Sequence, residues 1–413
     1  MKKRSILLVI VSFISIIILS VNSNNKYLVK EESLATYIDG EKTDSFPAKG
    51  TVAFSKADCD NNTNIYWDND TWGLYITNLS EKTKCNLHFK TLENAVTKIT
   101  NLASTDTVNM ATDDPDNNIR YIGANPNNYV YFNCDDYNNQ TSDTCELWRI
   151  IGVFNNIEKE DGTKENLIKI VRNDSIGQYS WDNKDTTSGA EIDYGKNDWT
   201  TARLNYLLNP GHESESVGGS LYYNAKKGNC YAGENNATVA CDFTKVGLKN
   251  DKTKNSIETV IWNNGGILNS KHTKSDTQQW YNFERGTEVY KNNNAYWTGK
   301  IALIYPSDYG YATSGNYETS RANCLSYNLY NLWEQNSNCF FNDYLFSKDE
   351  NQFVLTSKSD ISYDVFGIKN NGKLHDPYAR ESNYGVRPTL FLKSNISIGI
   401  GDGSSDSPYQ LSL

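Results

Sequence analysis

The chain has 413 residues, 38% of them hydrophobic, with 9 Trp, 28 Tyr and 14 Phe; this is enough material for two or three folded domains and excludes a disordered protein. The formal charge is -10 and the sequence pI near 5.1, with no segment dense in Lys and Arg beyond the first four residues. A nucleic-acid partner is therefore excluded as an expectation.

The N-terminus reads MKKRS, followed by the uncharged apolar run Ile6 to Val21 and a polar exit, Asn22 to Lys26. At about 1.5 Å per residue this run spans roughly 24 Å, against a hydrocarbon core of about 30 Å. Residues 1–26 are expected to be a signal peptide or a short signal anchor, with Lys2, Lys3 and Arg4 inside and the remainder outside. The exit pattern Val21-Asn22-Ser23 leaves removal and retention both open. A retained segment would make the chain a single-pass membrane protein with its C-terminal part outside.

The eight cysteines agree with export. They form four neighbouring couples, Cys59 with Cys85, Cys134 with Cys145, Cys230 with Cys241 and Cys324 with Cys339, and none has C-x-x-C spacing. Each couple closes a short polar loop, so sequential pairing is expected. Loops of this size contribute about 2 to 3 kcal/mol each through loop-closure entropy.

Residues 32–90 read as a small antiparallel β domain. Val52, Phe54, Ile65, Trp67, Trp72, Leu74, Ile76, Cys85, Leu87 and Phe89 alternate with polar positions and should share one buried face. Residues 91–112 read as a helical connector and linker, with Leu92, Ala95, Val96, Ile99 and Leu102 at helical spacing before a polar, acidic stretch.

Residues 113–413 read as a larger domain. Strands are expected at Tyr129 to Asn133, Glu146 to Phe154 and Asn166 to Arg172; WRIIGVF is apolar on both faces, as in a central strand, while its neighbour should turn Ile168 and Ile170 inward and Lys169 outward. Helices are expected at Asp198 to Leu208, Ser256 to Trp262 and Asp276 to Arg285, the last with Ser275 as N-cap. Strands return at Trp297 to Tyr305, at Gln352 to Thr356, in a hairpin on Asn371-Gly372, and at Gly385 to Ile398. Strands at both ends with helices between is an α+β order. Polar insertions at 209–255 and 310–350, each with a cysteine couple, should decorate one side.

Chemistry-bearing residues are sparse. His88, His212, His272 and His375 are far apart in turn-like or solvent-facing positions, so no imidazole metal site is expected. Asp402 and Asp406 in GIGDGSSD carry oxygens suited to calcium, though a plain turn before the last strand accounts for them better. Asp182, Asp198 and Asp308 are the carboxylates a glycosidase would draw on. Arg387, inside an apolar strand, could pair with a buried carboxylate or receive an acidic ligand. Trp181, Asp182, Trp199, Asp308, Tyr309 and Tyr311 combine aromatic faces with acids, a combination that stacks on sugars or builds protein interfaces and that also anchors cores.

The series RYIGANPNNYVYFN, ELWRIIGVF, KIVRNDSIG with SWDN, NDWTTARLNYLLNPG, TGKIALIYPSDYGYAT and GVRPTLFLKSNISI before GDGSSDSPYQL resembles a family of exported proteins of uncharacterised function from low-GC Gram-positive bacteria. The resemblance covers roughly residues 113–413, and the Cys59 to Lys90 part is similar to the lead-in module of the same proteins. RESNYGVR, from Arg380 to Arg387, and the order of elements more distantly resemble the C-type-lectin-like fold shared with formylglycine-generating enzymes. Those enzymes use reactive cysteines, or histidines holding iron. Here the cysteines pair locally and the histidines are scattered, so the resemblance implies the fold without that catalysis.

The expected protein is thus a small antiparallel β module followed by a larger C-type-lectin-like α+β domain with disulfide-stapled insertions. It is read as a non-enzymatic, envelope-displayed binding or adhesion protein for a glycan or a host or cell-surface protein, without a cofactor unless calcium binds. The ligand-binding candidates are Trp181, Asp182, Trp199, Asp308, Tyr309, Tyr311 and Arg387. A secreted carboxylate-based glycan-active enzyme and a structural envelope component are the alternatives.

Overall fold

The computed structural model describes residues 34–60, 63–69, 71–77, 83–183, 194–232, 237–330 and 335–413. The export segment expected at 1–26 lies outside the described residues. Within them, no helix is long and apolar enough to cross a membrane.

The alternation in the first module builds a four-stranded sheet in the order Glu41–Thr43, Leu34–Ile38, Cys85–Thr91, Val52–Cys59, covered by the hairpin Asn64–Asp68 and Gly73–Thr77. Its buried core is Val52, Trp67, Leu74, Leu87 and Phe89, with Phe54, Ile65, Trp72 and Ile76 packed against it. Trp67 stands edge-on to Phe89 at 5.2 Å and to Trp72 at 4.9 Å. The antiparallel expectation needs one correction: Leu34–Ile38 runs parallel to Cys85–Thr91. The long excursion between these strands lets the chain re-enter in the same direction, which a short hairpin forbids.

The helix expected in 91–112 forms over Ala95–Ala103, with Asn94 as N-cap accepting from Thr97 N at 3.2 Å. Its Ala95 and Ile99 belong to the core of the large body. Met110–Ala111 then pairs with Ile119–Tyr121 at the margin of the main sheet. Glu93–Asn94 pairs with Ser397–Ile400, which also pairs with the last strand, Gln410–Ser412.

The main sheet is antiparallel, in the order Ile301–Ala302, Thr389–Phe391, Lys164–Arg172, Glu146–Glu158, Ile119–Tyr121, Met110–Ala111, with Tyr129–Phe132 pairing the start of Glu146–Glu158. Trp148, Ile150, Ile151, Val153 and Phe154 are all buried, as a central strand requires. Gly152 is where Ile119–Tyr121 comes closest: a Cβ there would stand 1.8 Å from the Ile119 carbonyl oxygen. Lys169 departs from expectation. Leu167, Lys169 and Val171 share one face of their strand and all three are buried, Lys169 at 1% exposure. The face assigned to solvent is covered by a second layer, which includes Trp262, Tyr305 and Phe391.

That layer also differs locally from the periodicity. The helix expected at Ser256 to Trp262 ends at Ser256, and Val260–Asn263 is a strand paired with Tyr296–Gly299. Helix Thr277–Glu284 is capped by Asp276 rather than Ser275, in a capping box with Gln279. Beyond the strand expected to end at Tyr305, Pro306–Ala312 is a helix, with Pro at its first turn, where the missing N–H costs nothing. The expected Asn-Gly hairpin joins Val365–Ile368 to Leu374–His375.

The four cysteine couples pair sequentially and leave no free thiol. The protein is therefore a mixed α+β fold stapled by four disulfides, a feature of oxidising compartments outside the cytosol.

Candidate functional site

Asp308 lies in the first turn of Pro306–Ala312, where its carboxylate accepts the Tyr305 N–H at 3.0 Å. This cap aims the same carboxylate at two cations: Oδ1 accepts from Arg120 Nη1 at 2.9 Å and Oδ2 from Lys169 Nζ at 2.5 Å. Arg120 Nε continues the chain to Asp114 Oδ2 at 2.6 Å. All four side chains are buried, none more than 2% exposed. Burial alone would raise the Asp308 carboxyl, but Lys169 and Arg120 outweigh it and hold it well below the ordinary carboxylate range. Burial pushes the Lys169 ammonium down to about 8, against the pull of Asp308.

In front of Lys169 opens a recess of about 250 Å³. Its walls are the rings of Phe154, Trp262, Tyr281, Tyr296, Tyr305 and Phe391; Asp116, Asn118, Asn155, Asn156, Asn263, Glu158, Lys164 and Arg285 supply the polar edge. The rings are held from behind. Tyr305 Oη donates to Asn263 O at 2.9 Å, Trp262 Nε1 donates to Gly299 O at 3.1 Å, and Tyr281 Oη donates to Asp116 Oδ2 at 2.5 Å while accepting from Asn118 Nδ2 at 3.0 Å. Arg285 lies over Tyr281, its guanidinium carbon 3.3 Å from the ring centroid. Beside it, Glu284 is fully buried and accepts from Ser307 N at 2.8 Å, from the Ser307 hydroxyl and from Arg285 Nη1. Burial pushes the Glu284 carboxyl up to about 7, with Arg285 opposing.

None of the seven residues expected to bind ligand lines this recess. Asp308 and Tyr311 stand directly behind it, Tyr311 with its ring 5.1 Å from the Arg120 guanidinium. Trp181 and Trp199 are core residues, their rings 5.1 Å apart. Asp182 is buried and accepts the N–H groups of Lys196 at 2.8 Å and Arg203 at 3.0 Å, while burial raises its carboxyl to about 6. Tyr309 is buried and donates to Gly372 O at 2.8 Å. Arg387 is buried against carbonyl and amide oxygens, those of Arg172, Leu345 and Gln352, not against a carboxylate, and burial lowers it to about 10.

Asp198 caps the turn Trp199–Thr201 by accepting from Thr200 N. Asp402 accepts from Ser404 N at 2.9 Å in a turn. Among the described residues no three His, Cys, Asp or Glu side chains gather as a metal site. One histidine expectation is corrected: His272 is buried, edge-on to Tyr330 at 4.5 Å and packed on Phe366 of the strand Val365–Ile368 at 5.7 Å.

Lys169, Trp262, Tyr281, Arg285 and Tyr305 are the residues sequence reasoning passed over. A lysine inside the apolar run LIKIV was the visible signal. No family model, curated protein or solved structure matches the chain.

Proposed function

We propose that this protein is an extracellular binding protein, and that the recess above Lys169 takes one terminal ring of a glycan. The observation that carries the reading is the pairing of six ring-bearing walls with amides and charged groups at one edge. Ring faces stack on the C–H surface of a sugar while amides and charged groups meet its hydroxyls. The volume of about 250 Å³ lies just under the usual span for drug-sized ligands, roughly 300 Å³ and above, and so suits a single ring. Four disulfides favour display outside the cell, and an antiparallel sheet with stapled excursions is compatible with a lectin-like reading of the large body.

The carboxylate-enzyme alternative gains nothing from the geometry. Asp182, Asp198 and Asp308 spend their oxygens on backbone N–H groups and buried cations, and none lines the recess. The test is a glycan array followed by titration calorimetry on the purified full chain. Binding of a glycan terminus that is weakened several-fold by Tyr296→Ala and by Trp262→Ala supports the reading. An array without hits, or hits insensitive to both changes, overturns it.

A further inference from the structure

We infer that the recess selects a ring bearing a carboxylate, an acidic sugar, with the ammonium of Lys169 and the guanidinium of Arg285 as the groups that receive the anion. This rests on the glycan-binding reading above and deepens it.

The argument starts from unspent donors. An ammonium carries three N–H groups. Among the described residues, Lys169 Nζ has one hydrogen-bond acceptor, Asp308 Oδ2. Its other neighbours are ring faces: Tyr305 at 4.6 Å, Phe154 at 5.1 Å, Trp262 at 5.4 Å and Phe391 at 5.7 Å. All four rings, and Lys169 itself, line the recess. Ring faces attract a cation but do not replace hydrogen-bond acceptors, so the remaining N–H groups stay under-satisfied until an oxygen enters.

Arg285 repeats the pattern. Its Nη1 is used on Glu284 and the Tyr281 carbonyl, and its Nε lies 3.9 Å from Asp116; Nη2 has no partner among the described residues. Both cations lie over the same Tyr305 ring, Arg285 with its guanidinium carbon 5.6 Å from the centroid.

The carboxylates near the opening are, by contrast, already engaged. Glu158 is paired with Lys164 at 3.2 Å, and Asp116 accepts from Tyr281 Oη. Behind the ammonium, Asp308 divides its charge between Lys169 and Arg120. An entering carboxylate therefore meets two cations with donors to spare, and the acids around it are occupied. A neutral sugar would satisfy the same N–H groups with hydroxyl oxygens, but without charge assistance.

The experiment is calorimetric titration of the full chain with D-glucuronic acid, D-galacturonic acid and N-acetylneuraminic acid, alongside glucose, galactose and the uncharged methyl esters of the three acids. At least one acid is expected to bind about tenfold or more tighter than its own methyl ester, with the preference shrinking as salt rises. Lys169→Met should shrink the affinity gap between acid and methyl ester; the ester comparison needs no variant and stands even if that substitution disturbs folding. Equal affinity for acid and ester overturns the inference while sugar binding itself upholds the glycan-binding reading. A preference undiminished by Lys169→Met also overturns it, and absence of binding by every probe overturns both.

Discussion

Lys169 and Asp308 form a buried ion pair whose two halves should have unequal worth, and the inequality is measurable. Burial holds the ammonium below its ordinary range even with Asp308 in contact, so keeping it charged at neutral pH carries a desolvation cost. Lys169→Met keeps the length and removes that cost. Asp308 would then retain Arg120 Nη1 at 2.9 Å and Tyr305 N at 3.0 Å, so the loss on its side is about 1 to 2 kcal/mol. The net change should fall within about 2 kcal/mol of zero, in either direction.

Asp308→Ala is different, because it strips Lys169 of its one hydrogen-bond acceptor among the described residues and also deletes a helix cap. An uncompensated buried cation costs about 3 to 5 kcal/mol and a lost cap about 1. Urea unfolding followed by tryptophan fluorescence should separate the two variants by at least about 2 kcal/mol, since Trp262 lies 5.4 Å from the ammonium and reports this layer. If Lys169→Met destabilises as much as Asp308→Ala, the pair stabilises the fold through its charges and the reasoning fails.

The pH dependence of stability should carry the mark of Glu284. Its folded-state value, about 7, is raised above 4.5, so its contribution is full below about 4.5 and is lost as the pH rises through about 7; Glu284→Gln should flatten the melting temperature across that window, and an unchanged slope would exclude it as the cause. Gly152→Ala should cost more than about 3 kcal/mol in thermal or urea unfolding, because the new Cβ meets the Ile119 carbonyl at 1.8 Å and backbone has to move. Tyr296→Ala, at a ring 49% exposed, should leave stability within about 0.5 kcal/mol while weakening glycan binding several-fold by calorimetry. Alkylation of the unreduced protein followed by mass spectrometry should find no modified thiol, and opening Cys134–Cys145 by a double Ser substitution should cost about 3 kcal/mol in urea unfolding.

The parts of the fold that local patterning controls were legible. Val52, Trp67, Leu74, Leu87 and Phe89 alternate because their module has one dry face, and they form its core as read. Cysteine neighbours paired because short polar loops bring them together. Legibility fell where a segment's partner lies far along the chain. Val260–Asn263 has helical-looking neighbours, yet its strand state is set by Tyr296–Gly299, more than thirty residues on. The run from Trp297 to Tyr305 reads as one strand but splits between two sheets: Tyr296–Gly299 pairs with Val260–Asn263, and Ile301–Ala302 pairs with Thr389–Phe391.

The candidate site was hidden by the same limitation acting on one residue. Alternation assigns a face, not an environment: with Ile168 and Ile170 on one side, Lys169 had to occupy the other, and solvent was assumed there because lysine favours it. Whether that side is wet depends on Trp262, Tyr305 and Phe391, which arrive from 93 to 222 positions further along. Asp308 was singled out for its aromatic neighbours Tyr309 and Tyr311, but its carboxylate turns the opposite way, into Arg120 and Lys169. A buried lysine carries a desolvation cost that packing alone does not require, since a methionine would fill the same space. Among these residues Lys169 is the costly choice, which is the physical reason to look for its use in the recess it faces rather than in the core around it.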